Sequence, residues 1–264
     1  MADQAILLET AAWRIVADPR RGGKIVEMFS HRLRRNLLAA EQPGAVLTLE
    51  DGAVFSVAGW DEAFPTLEPS GGQPTLGQAW RLSVDCRASA DRLLTCWDMP
   101  SWHMEREIRA ASERVEARYA ITNTGDVSLP MLWTAHVLYP LEGLVSAELP
   151  MGRVIPGPGC QLEELEQVLR ADKNGLRIAD TNHNGKSEKF FLPAIRPIVL
   201  QYADACLTLT TDVPWWGIWL NCGVFQTQCL GIEPTTAPTD ALHEVHESIA
   251  GAGTVQLSWQ LYVQ

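Results

Sequence analysis

Alternating apolar residues near the end of the chain constrain the fold more than any other feature of the sequence. In TVQLSWQLYV (254–263) every second position is apolar, namely Val255, Leu257, Trp259, Leu261 and Val263. A period of two places these side chains on one face of a β-strand. The stretch VEARYAIT (115–122) alternates in the same way. Both patterns are typical of half-buried strands in an antiparallel sheet.

Short strand-like runs follow one another along most of the chain. Runs such as AVFSVAGW, RLLTCWDM and HMEREIRAA are separated by DG, NTGD and NG, which is typical of an all-β sandwich or barrel. The stretch CQLEELEQVLRAD (160–172) predicts a helix, because its apolar residues fall on one stripe. No repeat or long linker is visible. We therefore predict an all-β fold, a large antiparallel β-sandwich with one or two short helices, as a single domain over residues 1–264.

The charge of the chain argues against two classes of partner. The sequence has 21 Lys and Arg residues against 32 Asp and Glu residues, and the net charge of −11 repels nucleic acid and anionic membranes. No stretch approaches the roughly 18 to 20 apolar residues of a membrane span. The N-terminal stretch MADQAILLETAAWRIV lacks the basic segment of a signal peptide, so we expect a cytoplasmic protein. A small, uncharged molecule is the expected partner, and the oligomeric state is left open.

Metal and cofactor motifs are incomplete or missing. The six cysteines show no C-x-x-C and no histidine at the spacing of zinc sites, so we expect buried thiols rather than disulfides or ligands. DTNHNGKSEKF (180–190) begins like a calcium-binding loop, but the twelfth position from Asp180 is Phe191 instead of Glu. A polar turn is favoured there, and cation binding stays open. No metal ligand and no cofactor is predicted.

Ten tryptophans are many for 264 residues, and three of them form the cluster WWGIW at positions 215, 216 and 219. Core packing explains such a cluster, because aromatic residues stabilise sheets. Stacking against the apolar face of a sugar ring explains it as well. Both interpretations stay open for the cluster. At least one ring is expected in the core, and Trp216 is the candidate for a substrate contact.

Two ionisable side chains stand in apolar surroundings. His136 lies in MLWTAHVLYPL, and Glu233 lies in CLGIEP. A buried imidazole or carboxylate must be hydrogen-bonded, or must face a cavity where a ligand meets it. For His136 alone, a satisfied core histidine is the ordinary interpretation. Together the two residues are candidates for the acid and the base of a reaction on a neutral small molecule.

Several segments, taken together and in order, resemble the aldose 1-epimerase (galactose mutarotase-like) superfamily. They are ADPRRGGKIVEM (17–28), GWDEAFPTLEP (59–69), WTAHVLYPL (133–141), EKFF (188–191), DVPWWGIWLNCG (212–223) and GIEPTTAPTDAL (231–242). The resemblance implies a large antiparallel β-sandwich and an enzyme that interconverts the α and β anomers of free sugars. It puts the glutamate base of the family on Glu233 and the histidine acid on His136.

Anomer exchange needs a base and an acid together. Opening a pyranose requires that the proton of the anomeric O1 is removed while the ring oxygen is protonated. After rotation about the C1–C2 bond, the same two groups reverse their roles and close the ring. An imidazole with an ordinary pKa of about 6.5 serves both directions near neutral pH.

The chain departs from the family pattern after GWDEAFP. Relatives with this segment follow it with a proline-aspartate-histidine-glycine stretch whose histidine enters the site, whereas this chain reads QPTLGQAW, with Leu76 at that position. A hydrogen-bond donor to the sugar is therefore missing or supplied from elsewhere. By resemblance, Trp60 and Asp61 line the rim of the pocket. Glu62 and Glu68 are interpreted as solvated charges.

The leading hypothesis is a mutarotase or related epimerase that acts on a hexose or a hexose derivative. The alternative is a non-catalytic carbohydrate-binding protein of the same fold, as Leu76 would allow. A third reading, an accessory domain of a carbohydrate-degrading system such as a lyase, is weighed lowest because no catalytic module is attached. A phosphosugar substrate is disfavoured, because nothing in the sequence places the nearest basic cluster at the site, namely Arg14, Arg20, Arg21 and Lys24.

Overall fold

The computed structural model describes residues 5–172, 175–178 and 185–264. Within these residues the chain forms 24 β-strands and one α-helix, α1 (Leu162–Val168). Three short 3-10 helices complete the regular structure, at Pro19–Arg21, Ala79–Arg81 and Leu242–Glu244. The alternating patterns of the sequence therefore produce strands almost throughout.

The strands are short, as turns between alternating runs predict. The first twelve are β1 (Ile6–Glu9), β2 (Trp13–Asp18), β3 (Lys24–Ser30), β4 (Arg35–Asn36), β5 (Val46–Thr48), β6 (Val54–Ser56), β7 (Trp60–Ala63), β8 (Asp85–Ser89), β9 (Arg92–Met99), β10 (Trp102–Ala111), β11 (Arg114–Asn123) and β12 (Leu129–Pro130). The remaining twelve are β13 (Thr134–Pro140), β14 (Leu144–Leu149), β15 (Ile155–Pro156), β16 (Leu169–Asp172), β17 (Gly175–Ile178), β18 (Ser187–Pro193), β19 (Ile198–Tyr202), β20 (Cys206–Thr211), β21 (Trp215–Cys222), β22 (Gln228–Thr235), β23 (Ser248–Ile249) and β24 (Thr254–Val263).

Two ten-stranded antiparallel sheets form the sandwich. The first has the order β1-β2-β3-β7-β13-β22-β21-β18-β15, with β4 paired to β3. The second has the order β16-β17-β14-β19-β20-β24-β11-β10-β9-β8. There are also two small two-stranded sheets, β5-β6 and β12-β23. The predicted large antiparallel β-sandwich is confirmed.

The main core lies between the two large sheets. On β24, Leu257, Trp259 and Leu261 are buried, while the residues between them are partly exposed. Ala117 and Tyr119 of β11 join the same apolar cluster. The strands predicted over 115–122 and 254–263 are therefore confirmed. Each buried Leu side chain stabilises this core by roughly 1.5 to 3 kcal/mol relative to exposure.

A second, smaller apolar cluster lies on the outer face of the first sheet. Along β13, Ala135, Val137 and Tyr139 belong to the main core, whereas Leu138 packs in the second cluster. Because side chains alternate across a strand, the two clusters lie on opposite faces of the sheet. Residues of the 39–80 region cover this outer face, with Phe55 among them. The outer cluster frames the candidate site.

The predicted helix over 160–172 is too long. The α-helix ends at Val168, and Leu169–Asp172 form β16, which pairs with β17. The apolar stripe predicted a longer helix, but the helix ends after two turns because the backbone of the next residues forms hydrogen bonds with β17. Burial is limited to Leu165 and Val168, and Leu162 is exposed.

The cysteines of the chain are free thiols. All six cysteines lie within the described residues and form no disulfide. Four of them are buried and two are half-buried, which agrees with the prediction of thiols. In the parts of the chain that the structure describes, no helix has the length and the apolar character needed to cross a bilayer.

Candidate active site

Central strands of the first sheet bring the two predicted catalytic residues together. β13 pairs with β7 on one side and with β22 on the other. His136 lies opposite Asp61 of β7. The pairing of Thr134 with Thr235 sets the register that places Glu233 beside His136. Residues opposite one another share a face of the sheet, so these three ionisable side chains all lie on its outer face.

Trp60 and Trp216 lie on the other face, against the prediction that they contact substrate. Trp60 is opposite Val137, and Trp216 is opposite Pro234, one position away from the site residues. Both rings are fully buried in the core between the sheets, where Trp60 packs edge-on against Trp259 with ring centroids 4.8 Å apart. A residue adjacent to a site residue in a strand points the opposite way, which is the physical reason for this correction.

His136 and Glu233 are close and almost inaccessible to solvent. Nε2 of His136 lies 3.7 Å from Oε1 of Glu233. The Glu233 side chain is fully buried, and His136 is 6% exposed. Within the described residues, Oε1 of Glu233 accepts no hydrogen bond. A buried carboxylate oxygen without a donor is costly, so this oxygen is suited to accept a hydrogen bond from a bound molecule.

Two glycines leave the space that the Glu233 carboxylate occupies. A Cβ atom on Gly231 would lie 2.6 Å from Oε1 of Glu233. A Cβ atom on Gly217 would lie 3.2 Å from Oε2. Any larger residue at position 231 would therefore displace the carboxylate. The glycines of GIEP and WWGIW thus allow Glu233 to lie close against its own sheet.

Lys189 of β18 completes the cluster, although no role was predicted for it from the sequence. Its Nζ atom donates a hydrogen bond to Oε2 of Glu233. The same atom lies 3.8 Å from Oδ1 of Asp240, a residue that follows β22 and is also buried. Lys189 occurs in EKFF, and in the sheet it lies opposite Trp219 of the neighbouring strand β21. Its position directly before the apolar residues Phe190, Phe191 and Leu192 was the available signal.

A cavity of about 250 Å³ opens directly above this cluster. Its ionisable lining residues include His136, Lys189, Asp240 and Glu68. Its apolar wall includes Phe55, Leu67, Leu76, Trp219 and Phe225. Typical ligand pockets measure about 300 to 1,000 Å³, so this one suits a single small molecule. Glu68 is exposed at the rim, in agreement with the prediction for it.

Aromatic rings pack around His136 inside the cavity. The centroid of its ring lies 5.8 Å from those of Phe55 and Trp219. Trp219, rather than Trp216, is therefore the member of WWGIW that faces the cavity. Leu76, at the position of the family histidine, also lines the cavity and has a φ angle of 61°. That positive φ is uncommon for a leucine.

Burial and neighbouring charges change the protonation of the cluster. Burial, reinforced by the positive charge of Lys189, lowers the pKa of His136 to about 3, although the charge of Asp61 opposes the shift. Burial alone would lower the pKa of Lys189, but Asp240 and Glu233 outweigh it and raise that pKa above its ordinary value. Burial also raises the pKa of Asp240, against the effect of Lys189. At neutral pH the cluster therefore holds a neutral imidazole and a charged ammonium group.

Asp61 lies beside the cluster but faces a different cavity. Its Oδ2 atom accepts a hydrogen bond of 2.6 Å from Nζ of Lys24, and both side chains are buried. Asp61 lines a second cavity of about 310 Å³, which shares Phe55 with the first. The carboxylate predicted at the pocket rim is therefore engaged by a lysine, and its charge acts on His136 from the side.

Basic residues gather around this second cavity. Arg20, Arg21, Lys24 and Arg81 line it, next to the first cavity rather than within it. Carboxylates pair with these cations, among them Glu41 with Arg21 and Asp51 with Arg81. The pairing neutralises the positive charge that a phosphate would need, which agrees with the expectation against a phosphosugar.

Glu62 is not a solvated charge, contrary to the prediction. It lies in the main core, where its carboxylate accepts hydrogen bonds from the side chains of Arg106, Trp60, Tyr119 and Trp133. Burial raises the pKa of Glu62 to about 7, against the effect of Arg106 and the other donors. The alternation of β7 explains the placement, because Glu62 points away from the face that holds Asp61.

The described residues contain no cluster of donor groups for a metal ion. In the described parts of the chain, no three His, Cys, Asp or Glu side chains come together as a metal site requires. Asp180, where the calcium-like stretch begins, lies outside the described residues together with positions 179–184.

Solved structures share the fold of this chain at low sequence identity. No known protein-family model and no curated protein sequence matches it. A protein from Synechocystis sp. PCC 6803 is 13% identical, with a TM-score of 0.76 over 99% of this chain and 96% of its own. A galactose mutarotase-like protein from Lactobacillus casei is 15% identical, with a TM-score of 0.72 over 99% of this chain and 100% of its own. A galactose 1-epimerase from Lactobacillus acidophilus is 12% identical, with a TM-score of 0.67 over 98% of this chain and 94% of its own.

These similarities extend over nearly the whole chain and concern its fold. The chain has the galactose mutarotase-like β-sandwich fold, as the resemblance of its segments implied. A fold of this kind hosts more than one activity, so function has to be argued from the side chains of the site.

Proposed function

We propose that the protein is an aldose 1-epimerase-like isomerase that interconverts the anomers of a hexose or a hexose derivative. The observation that carries this proposal is the 3.7 Å contact between His136 and Glu233 beneath a cavity of small-molecule size. The sequence predicts these two residues as the acid and the base of the reaction. The similarity in fold to a galactose 1-epimerase supports the same reaction class.

Glu233 is the proposed base. Its Oε1 atom accepts no hydrogen bond within the described residues, so it can take the proton of the anomeric hydroxyl. Trp219 offers an aromatic face to the apolar side of the sugar ring. His136, beside Glu233, is the second proposed residue of the site and can hydrogen-bond the bound sugar.

The substrate is proposed to be a neutral sugar. Glu68 and Asp240 line the cavity, and the buried carboxylate of Glu233 contacts Lys189 beneath it. These three carboxylates outnumber the ammonium group of Lys189, so an anionic sugar would be repelled. Neither a nucleic acid nor a membrane partner is proposed. Cytoplasmic location and a single domain over 1–264 stay predictions from the sequence.

Anomer exchange on freshly dissolved glucose and galactose, followed by polarimetry or NMR exchange, tests the proposal. The wild-type protein is expected to accelerate exchange of at least one sugar in a panel of neutral hexoses. Glu233→Gln should keep the fold and abolish the acceleration. Glu105→Gln on β10, which removes a half-exposed carboxylate far from the cavity, is the matched control. Full activity of Glu233→Gln overturns the proposal.

A non-catalytic sugar-binding protein is the second candidate. Three observations favour it: Lys189 already engages Glu233, the pKa of His136 is low, and Leu76 lines the cavity where relatives carry a histidine. Calorimetric titration with the same sugar panel separates the two candidates. Binding without accelerated exchange supports the second one.

A further inference from the structure

We propose that Lys189 is the residue that gives a proton to the ring oxygen of the sugar, while Glu233 is the base that accepts the proton of the anomeric hydroxyl. The inference rests on the proposed function, and it assigns a residue that the resemblance to the epimerases does not name. It follows from the position of the ammonium group, from its contact with the base and from the surroundings of His136.

The geometry of Lys189 fits a donor that acts beside the base. Its Nζ atom contacts Oε2 of Glu233, while the other oxygen of the same carboxylate is buried and has no hydrogen-bond partner within the described residues. The side chain lines the cavity and is 11% exposed, so the ammonium group can reach a bound molecule. A sugar whose O1 meets Oε1 of Glu233 therefore brings its neighbouring ring oxygen toward Nζ.

His136 is poorly suited to supply this proton. Phe55 and Trp219 pack around its ring, and the charge of Lys189 disfavours a second positive charge nearby. A neutral imidazole can donate a hydrogen bond, but it does not give up its remaining proton at neutral pH. We therefore assign His136 to orienting the sugar, through a hydrogen bond to one of its hydroxyl groups.

The proposed step balances in protons and electrons. The O1–H proton passes to the Glu233 carboxylate, and the electron pair of that bond forms the C1=O1 double bond. The C1–O5 bond breaks, and its electron pair on O5 takes a proton from the Lys189 ammonium group. After rotation about C1–C2, the O5–H proton returns to the Lys189 amine and Glu233 returns a proton to O1, so both groups regain their starting states.

The contact between the two residues couples their proton transfers. The negative charges of Asp240 and of ionised Glu233 hold the proton on Lys189. The charge of Glu233 is the one that the reaction changes. When Glu233 takes the O1 proton, that negative charge disappears and Lys189 becomes a stronger acid. Proton uptake by the base thus releases the proton of the donor, which suits a concerted ring opening.

Two substitutions separate proton donation from charge pairing. Lys189→Met removes both, whereas Lys189→Arg keeps a positive charge next to Glu233 in a group that does not release a proton at neutral pH. Both variants should lose roughly 10²- to 10⁴-fold in kcat, the usual range for a general acid. His136→Asn should lose less kcat than either. Lys186→Met, an exposed lysine before β18, is the matched control.

The results distinguish this inference from the proposed function. If Lys189→Arg keeps at least a third of the wild-type kcat, Lys189 only pairs with Glu233 and is not the proton donor. That result overturns the assignment of Lys189 but not the proposed isomerase function. Unchanged kcat in Lys189→Met would do the same. If circular dichroism shows that Lys189→Met does not fold, the kcat of Lys189→Arg alone tests the assignment of Lys189. Absence of exchange by the wild-type protein on every sugar overturns the proposed function and this inference together.

Discussion

His136 and Glu233 lie side by side on β13 and β22, with Nε2 of the histidine 3.7 Å from Oε1 of the glutamate. Residues from two distant parts of the sequence meet there because the strands are neighbours in the first sheet. Lys189 contacts the other oxygen of the same carboxylate. One carboxylate therefore links a neutral imidazole to a charged amine beneath a small cavity, and several consequences of this arrangement can be measured.

Gly231→Ala should impair the site while the fold persists. The new methyl group would lie 2.6 Å from Oε1 of Glu233, so the carboxylate must move away from its present position. A displacement of about 1 Å of a catalytic group can cost roughly 10²-fold in rate. We expect that loss in kcat for anomer exchange, measured by NMR. Gly125→Ala, where the added Cβ makes only ordinary contact with Asn123, should leave kcat unchanged.

Leu76→His should raise the affinity for a neutral hexose. Leu76 lines the cavity, and its positive φ angle is tolerated better by histidine than by most other residues. One added hydrogen bond contributes about 0.5 to 1.5 kcal/mol, which corresponds to an increase in affinity of roughly 2- to 13-fold by calorimetry. Leu76→Met, an apolar replacement of similar volume, serves as the control. Unchanged affinity in Leu76→His would show that the position does not contact the sugar.

Acid should destabilise the protein through His136. The pKa of His136 falls from an ordinary value near 6.5 to about 3 on folding, because burial disfavours the charged ring. The unfolded chain therefore binds a proton below pH 6.5 that the folded chain refuses, and stability is lost as the pH falls from 6.5 toward 3. Between pH 6.5 and 4.5 this amounts to about 2 kcal/mol. Guanidinium unfolding at both pH values should show a smaller loss for His136→Asn, and an equal loss would contradict the shift.

Arg106→Met should destabilise the fold without any direct effect on the site. Arg106 donates a hydrogen bond of 2.9 Å to Glu62, and both side chains are fully buried in the main core. Removing one partner of a buried ion pair costs about 3 to 5 kcal/mol, because the other charge is left uncompensated. Guanidinium unfolding measures this loss. Arg118→Met, which removes an exposed arginine of β11, should change the free energy of unfolding by less than about 1 kcal/mol.

Much of the fold could be predicted from local patterns. The period of two in 254–263 corresponds to β24 residue for residue, and 115–122 lies within β11. The helix over 160–172 was predicted too long, because a short apolar stripe does not show that backbone pairing with β17 will end the helix. Sheet order depends on long-range pairing, which alternation within one segment does not reveal.

The site could be predicted only in part. Glu233 and His136 stood out because ionisable groups in apolar runs are rare. Trp216 and Trp219 could not be told apart by composition, although their different strand positions send them to opposite faces. Lys189 lacked a visible partner in sequence, since Glu233 and Asp240 reach it across β21 and from a following loop. The interpretation of Glu62 as a solvated charge was wrong because its partner Arg106 belongs to the second sheet, a pairing that the sequence does not show.

A crystal structure of the protein with a bound neutral hexose tests the central claim most directly. We expect one pyranose ring in the cavity, with its anomeric O1 at roughly 2.6 to 3.2 Å from Oε1 of Glu233 and its ring oxygen within the same reach of Nζ of Lys189. His136 should donate to a hydroxyl group of the same ring. A sugar bound with its anomeric carbon turned away from Glu233, or bound outside this cavity, would contradict the account.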